Sequence, residues 1–104
     1  MSQDDTFVGE EILRQLGGIS RLQFMIGLKS VDTTGNSLTI RFRARAWQGI
    51  NCCKVTLLPS DTYKVEFIRI RDYQPTIVNE QVDVYNDGLK GLFEAVTGLY
   101  LSTK

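Results

Sequence analysis

Apolar residues near the start of the chain recur at the spacing of one helical face; they are Val8, Ile12, Leu13 and Leu16. Glu10 and Glu11 stand in the first turn, where the positive end of the helix dipole stabilises carboxylates. Gly17 and Gly18 follow, and glycine readily takes the left-handed conformation that ends many helices. The pattern therefore predicts a short N-terminal helix.

A second apolar pattern, over residues 20–29, is compatible with a helix or a strand. The residues that continue a helical face are Leu22, Met25 and Ile26. Phe24 and Leu28 fit either period, and Gly27 offers a place for a helix to end. We expect a second helix and keep the extended conformation as the alternative.

The clearest alternation begins after a turn-forming segment at residues 32–37 (DTTGNS) and extends to Trp47. Its apolar positions are Leu38, Ile40, Phe42, Ala44 and Ala46. The positions between and after them are Thr39, Arg41, Arg43, Arg45 and Trp47. Because successive side chains of a strand point to opposite faces, this pattern predicts one strand over residues 38–47 with one buried and one solvated face.

Alternation predicts two further strands. The first places Cys53, Val55 and Leu57 on one side and, on the other, Cys52, Lys54 and Thr56. The second has Tyr63, Val65 and Phe67 inward, with Lys64 and Glu66 outward. At Ile68 and Ile70 the pattern changes, which indicates a bulge or a strand end. Because Pro75 lacks a backbone N–H, a fourth strand over residues 76–82 can lie only at an edge.

The C-terminal part returns to helical spacing, in Leu89, Leu92, Phe93 and Val96. Gly98 marks the end of this predicted helix. A chain of 104 residues supports one hydrophobic core. We therefore predict a single α+β domain over residues 1–104. It has one N-terminal helix or two, a three-stranded antiparallel meander with a possible fourth edge strand, and a C-terminal helix packed on one sheet face.

The charges are segregated along the sequence although the net charge is zero. Residues 14–71 contain ten basic and three acidic side chains, a balance of +7, and the segments on either side are acidic. Such segregation favours a basic face. No apolar run approaches the roughly 20 residues of a membrane-spanning helix, and the acidic start is unlike a signal peptide. We therefore expect a cytosolic protein that does not bind membranes.

Few residues are available for catalysis. The chain has no histidine, the commonest general base and metal ligand, and no glycine-rich phosphate loop. Cys52 and Cys53 are neighbours on a predicted strand, so they are poorly placed to bridge each other and are expected to be reduced. We therefore predict a binding protein without catalytic residues or cofactors, rather than an enzyme.

One group of residues has the spacing of a calcium-binding EF-hand loop: Asp83, Asp87, Gly88 and Glu94. Tyr85 stands where such a loop needs a carboxylate or amide oxygen. The same segment can instead begin a helix capped by Asn86 or Asp87. We expect the helix cap and no metal site.

The strongest functional signal is the row of Arg41, Arg43 and Arg45, whose side chains on a strand would project from one face about 6.8 Å apart. This spacing is close to the phosphate repeat of an extended nucleic-acid strand, and Trp47 adds a surface on which a base can stack. The candidate nucleic-acid-binding residues are Arg41, Arg43, Arg45, Trp47, Lys54 and Lys64. The alternative is a solvated sheet face that needs charged residues whatever it binds.

The chain contains the segments ILRQLGG, FMIGLK, NSLTIRF, KVTLLPSDTYKVEF and VYNDGLKGLFEAVTGLYL. Their combination resembles a group of small proteins encoded by tailed phages, prophages and related mobile elements. The resemblance covers nearly the whole chain and implies an accessory role, but no activity, cofactor or residue role. The order of helix, three strands and helix also resembles the double-stranded RNA-binding domain, in topology only, because the start of the last helix lacks that domain's lysines.

Two other kinds of partner remain open. A phage or mobile element could direct the chain at a host enzyme or defence factor, and the candidate surface then comprises Trp47, Ile68, Ile70 and Tyr73. A homodimer could form through an edge strand beyond Pro75 and an apolar tail from Leu99 to Leu101. The sequence therefore leaves nucleic acid, a host protein and a second copy as alternatives.

Overall fold

A five-stranded antiparallel sheet carries helices on one face, and the computed structural model describes the backbone of residues 2–101 and the side chains of residues 8–101. The elements in chain order are α1 (Ser2–Gln15), α2 (Ile19–Ile26), β1 (Leu28–Thr34), β2 (Ser37–Phe42), β3 (Cys52–Leu57), β4 (Tyr63–Arg71), β5 (Gln74–Val84) and α3 (Leu89–Thr97). Short 3₁₀ turns lie at Trp47–Gly49 and Asn86–Gly88. The predicted α+β class is confirmed.

Each strand pairs with the next one along the chain, in the order β1-β2-β3-β4-β5. The predicted three-stranded meander corresponds to β2, β3 and β4, and the fourth strand forms at an edge as β5. The other edge strand, β1, is absent from the sequence-based prediction. Its sequence, LKSVDTT, is too polar to show the period of a strand, and the segment predicted as a turn from residue 32 is strand as far as Thr34.

The second helix, α2, is confirmed. Leu22 and Ile26 lie one turn apart and are fully buried, and Gly27 ends the helix in the left-handed conformation (φ 67°). Phe24, whose position fits either period in the sequence, is 81% exposed. The helix is therefore held by one narrow apolar face.

The helices pack on the sheet face formed by alternating apolar residues, which we call the inner face. Its buried positions are Leu38, Ile40, Phe42, Cys53, Val55, Val65 and Phe67. The ring of Phe93 in α3 lies 5.6 Å from that of Phe42 and 6.2 Å from that of Phe67, between centroids. These distances are typical of favourable aromatic pairs. The predicted packing of the C-terminal helix on one sheet face is confirmed.

The predicted strand over residues 38–47 is wrong beyond Phe42, where β2 ends. After this residue the backbone N–H of Arg43 donates to the carbonyl of Gly27 at 3.0 Å. The N–H of Ala44 donates to the carbonyl of Ile26, also at 3.0 Å. The chain therefore leaves β3 and follows the end of α2.

The alternation of exposed and covered side chains nevertheless continues past the end of β2. Ala44 and Ala46 are half-buried, whereas Arg43 and Arg45 are exposed. Only Arg41 of the predicted arginine row belongs to the sheet. Arg43 and Arg45 therefore lie in a loop and not on the face of a strand.

Features that discourage pairing with another strand are concentrated on the edge strand β5. Pro75 lies near its start, and extra residues at Val78 and at positions 82–83 interrupt its register with β4. Proline and bulges protect exposed edges from pairing. The bulge predicted at Ile68 is present in the register, but the extra residue is on β5 rather than on β4.

The two leucines of the apolar tail proposed for dimer formation pack in the core. Leu101 is fully buried, and its N–H donates to a carboxylate oxygen of Glu94 at 2.8 Å. Leu99 is half-buried against the same core. Leu99 and Leu101 are therefore not free to pair with a second copy, whereas Tyr100 between them is 68% exposed.

The start of α3 differs from the predicted cap. Gly88 occupies the N-cap position, and neither Asn86 nor Asp87 makes a side-chain capping hydrogen bond. Asp83, which would be the first ligand of an EF-hand loop, instead lies in β5 with a left-handed backbone (φ 57°). The described residues contain no cluster of three or more potential metal ligands.

No helix in the described part of the chain is long and apolar enough to cross a membrane.

Candidate nucleic-acid interface

The loop between β2 and β3, residues 43–51, positions two of the predicted arginines. Its first part is held to the end of α2 by the two hydrogen bonds described above. Its second part reverses direction at Gln48 (φ 59°) and Gly49 (φ 74°), and the N–H of Ile50 donates to the carbonyl of Trp47 at 3.2 Å. The loop is therefore anchored at both ends.

Asn51 fastens the loop to β4. Its side-chain amide donates to the carbonyl of Ile70 at 3.0 Å, and its side-chain oxygen accepts from the N–H of Ile70 at 2.9 Å. The backbone N–H of Asn51 also donates to the carbonyl of Ile68 at 3.0 Å. These three bonds hold the end of β4, and with it Arg71, beside the loop.

An open concavity of about 410 Å³ lies between the loop and the end of β4. Three arginines line it, Arg43 and Arg45 from the loop and Arg71 from β4, and we call them the arginine cluster. Ile50, which is only 1% exposed, also lines the concavity. The site is therefore an open cationic depression whose lining includes one apolar residue.

A fourth arginine supports the loop from β4. The Arg69 guanidinium donates to the carbonyl of Gln48 at 3.2 Å. A Cβ on Gly49 would lie 3.0 Å from Cδ of Arg69 and 3.8 Å from Nη2 of Arg71. Glycine at this position therefore meets two needs, a left-handed backbone and the close passage of Arg69.

The arginine cluster has no carboxylate partner among the side chains of residues 8–101. The two salt bridges found there join Arg14 to Glu11 at 2.7 Å and Lys64 to Glu80 at 3.4 Å. Arginine stays protonated at any ordinary pH. The concavity consequently presents three positive charges that this part of the chain does not neutralise.

Trp47 follows Ala46 in the same loop but does not line the concavity, and its side chain contacts the end of α3. A Cβ on Gly98 would come within 2.5 Å of Cε2 of the indole, so the ring rests directly on this glycine. The Trp47 side chain is nevertheless 62% exposed. One side of the indole is therefore seated on the protein while most of the ring remains open to solvent.

The other predicted nucleic-acid-binding residues lie apart from the concavity. Arg41 is half-buried on the outer face of the sheet, paired in register with Cys52. Lys54 stands opposite Glu66 in the register of β3 and β4. Lys64 forms its salt bridge with Glu80 on β5. These three residues do not extend the arginine cluster.

Sequence reasoning missed Arg69 and Arg71 as members of the basic surface. Their alternation with Ile68 and Ile70 is visible in the sequence, but the pattern predicts a bulge or a strand end there and no binding surface. What places Arg71 beside the loop is the bonding of Asn51 to Ile70, which no local pattern reveals.

The alternative protein-binding residues separate into three places. Ile68 and Ile70 share the outer face, where they pair with Ile77 and Pro75 of β5 and form a small apolar patch. Tyr73 is 98% exposed in the turn between β4 and β5. Trp47 contacts Gly98 instead. The structure therefore supports a patch at Ile68 and Ile70 but does not bring all four residues together.

The two cysteines are free and buried. Burial raises the pKa of Cys53 far above its ordinary value, and the neighbouring Cys52 and Glu66 raise it further. Burial also raises the pKa of Cys52, although the positive charge of Arg41 opposes the shift. Both thiols therefore stay protonated at neutral pH, which makes them poor nucleophiles and poor metal ligands.

Comparison of the chain with protein-family models, with curated proteins and with solved structures finds no match.

Proposed function

We propose that the chain binds single-stranded nucleic acid through the arginine cluster and Trp47, and that it acts without catalysis. The observation that carries this proposal is the convergence of Arg43, Arg45 and Arg71 from two separate segments on one concavity. Their charges are unneutralised among the described side chains. Guanidinium groups form bidentate hydrogen bonds with phosphate, which makes phosphate the best-matched ligand.

Trp47 favours a single strand over a duplex. Its indole is supported from beneath by Gly98 and is mostly exposed. A base of a single strand can stack on such a ring, whereas the bases of a duplex are already stacked on each other. The pairing of an aromatic platform with a cationic site is the arrangement that single-strand binding requires.

The direct test is a titration of the protein against labelled single-stranded and duplex oligonucleotides at low and moderate salt. We expect the single strand to bind more tightly than the duplex, and its affinity to fall with salt because each phosphate contact releases counterions. Dissociation constants above about 10⁻⁴ M for both nucleic acids at low salt would contradict the proposal.

Substitution tests whether the cluster is the binding site. Exchanging Arg43 and Arg45 for glutamine should weaken binding strongly while leaving the fold intact, because both side chains are exposed. Arg21→Gln provides the control, because Arg21 is an exposed arginine on α2 that does not line the concavity. An equal loss of binding affinity in the double variant and in Arg21→Gln would contradict the assignment of the arginine cluster as the binding site.

The setting we propose is the cytosol of a cell that carries a phage or mobile element, with the chain as an accessory protein in nucleic-acid metabolism. The buried protonated thiols suit a reducing compartment. The resemblance to small phage proteins is compatible with this setting.

A second candidate function is the binding of a host protein. The apolar patch of Ile68, Ile70 and Ile77 on the outer face favours it, because a solvated sheet face ordinarily carries polar side chains. Recovery of one stoichiometric partner that resists nuclease treatment and is lost in Ile77→Lys would support this function. Ile77 is 52% exposed and belongs to the edge strand, so the substitution should not unfold the protein.

A further inference from the structure

We propose that the concavity between the β2–β3 loop and β4 receives the terminal phosphomonoester of a nucleic-acid strand, rather than an internal phosphodiester. This inference rests on the proposed function and makes its ligand more specific. The site would thus recognise the end of a strand, and Trp47, the neighbour of the lining residue Ala46 in the same loop, would hold a base.

The charge of the site is the first argument. Arg43, Arg45 and Arg71 bring three permanent positive charges to one depression. An internal phosphodiester carries a single negative charge, whereas a phosphomonoester carries about −1.5 to −2 at neutral pH. The terminal group therefore matches the cluster more closely.

The shape of the site is the second argument. The lining comes from the β2–β3 loop and from Arg71 of β4, and the side-chain amide of Asn51 between them is already bonded to Ile70. An internal phosphate must connect to sugars on two sides, so it suits a groove that is open at both ends. A terminal phosphate connects on one side only and can enter a depression end-on.

Unused backbone donors are the third argument. Arg45 and Ala46 line the concavity, and their N–H groups donate to no group within the described part of the chain. Backbone N–H groups are strong donors that are normally bonded when covered. These two remain available to a phosphate oxygen, in addition to the guanidinium groups.

The experiment compares three forms of one short oligothymidylate that carries an internal label: with a 5′-phosphate, with a 3′-phosphate, and with hydroxyl groups at both ends. We expect one phosphorylated form to bind at least about tenfold more tightly than the hydroxyl form, since charge-assisted hydrogen bonds are the strong ones. Arg71→Gln should remove this preference, and Arg21→Gln should keep it.

The pH dependence adds an independent readout. The second pKa of a phosphomonoester is near 6, whereas arginine does not titrate in this range and the chain contains no histidine. The preference for the phosphorylated end should therefore shrink between about pH 7 and about pH 5. A preference that does not change with pH would contradict recognition of the dianion.

Three outcomes separate this inference from the proposed function. If all three oligonucleotides bind equally, end recognition is wrong and single-strand binding stands. If none binds, both are wrong. If thymidine monophosphate alone binds as tightly as the phosphorylated oligonucleotide, the site serves a free phosphorylated small molecule, and recognition of a strand end is wrong.

Discussion

The indole of Trp47 lies directly on Gly98, the glycine that ends α3 in the left-handed conformation (φ 75°). This contact joins the loop that carries two of the clustered arginines to the last helix of the core. It also fixes which side of the indole is covered and which is open to a ligand.

Gly98→Ala is expected to destabilise the protein by about 1–3 kcal/mol, because alanine is strained at positive φ and its Cβ would overlap the indole. Thermal unfolding measures this loss. The emission maximum of Trp47, the single tryptophan, should shift as the ring is displaced.

Gly91→Ala is the matched control for that substitution. Gly91 lies within α3, is exposed, and would meet no atom within 4 Å of an added Cβ. Alanine there should stabilise the helix by about 1 kcal/mol. Equal stabilities of the two variants would contradict the contact between Trp47 and Gly98.

Tyr73→Gly is expected to stabilise the protein by about 1 kcal/mol. Asp72 (φ 54°) and Tyr73 (φ 64°) are consecutive left-handed residues between β4 and β5, the geometry of a type I′ hairpin turn. Glycine adopts this conformation without strain, and the exposed Tyr73 side chain gives up almost no packing. Urea unfolding measures the change, and a loss of stability would show that the tyrosine ring has a structural role.

The stability of the protein should fall at alkaline pH because of Cys53. Its pKa is raised in the folded protein, so above about pH 8.5 the thiol ionises in the unfolded chain but not in the folded one. The free energy of unfolding should then fall by up to about 1.4 kcal/mol per pH unit for this thiol, and below about pH 8 this contribution should be constant.

Cys53→Ala removes this contribution and is measured alongside the unsubstituted protein by urea unfolding at a series of pH values. The variant should be less stable at neutral pH, because the buried sulfur leaves a small space. Its stability should, however, decline less steeply above about pH 8.5. Parallel curves would contradict the assignment of the alkaline effect to Cys53.

The hydrophobic periodicity of the sequence predicted the helices and strands that bury a regular apolar face. It did not predict the structure of segments whose backbone hydrogen bonds go to residues distant in sequence. The alternation around Ile40 identifies the two faces of β2, since one of them is covered by helices. The same alternation continues to Ala46 although the strand ends at Phe42, because an extended chain beside the end of α2 shows the same period. The alternation therefore shows which side of the chain is covered, but it does not show whether a neighbouring strand or the end of a helix covers it.

The sequence predicted only part of the candidate site, because periodicity is a local signal. Arg43 and Arg45 follow from the alternation, and their exposure agrees with it. The third member, Arg71, reaches the site through the hydrogen bonds of Asn51 to Ile70, which join segments nineteen residues apart. Such a non-local contact leaves no periodic trace in the sequence.

The central claim, that Arg71 and not Arg41 completes the binding site, is tested most directly by the salt dependence of single-strand affinity in Arg71→Gln and Arg41→Gln. Each phosphate contact contributes about 0.7 to the slope of log affinity against log salt for a single strand. We predict that Arg71→Gln reduces the slope by about this amount and that Arg41→Gln leaves it unchanged. A reduced slope in Arg41→Gln together with an unchanged slope in Arg71→Gln would contradict the account.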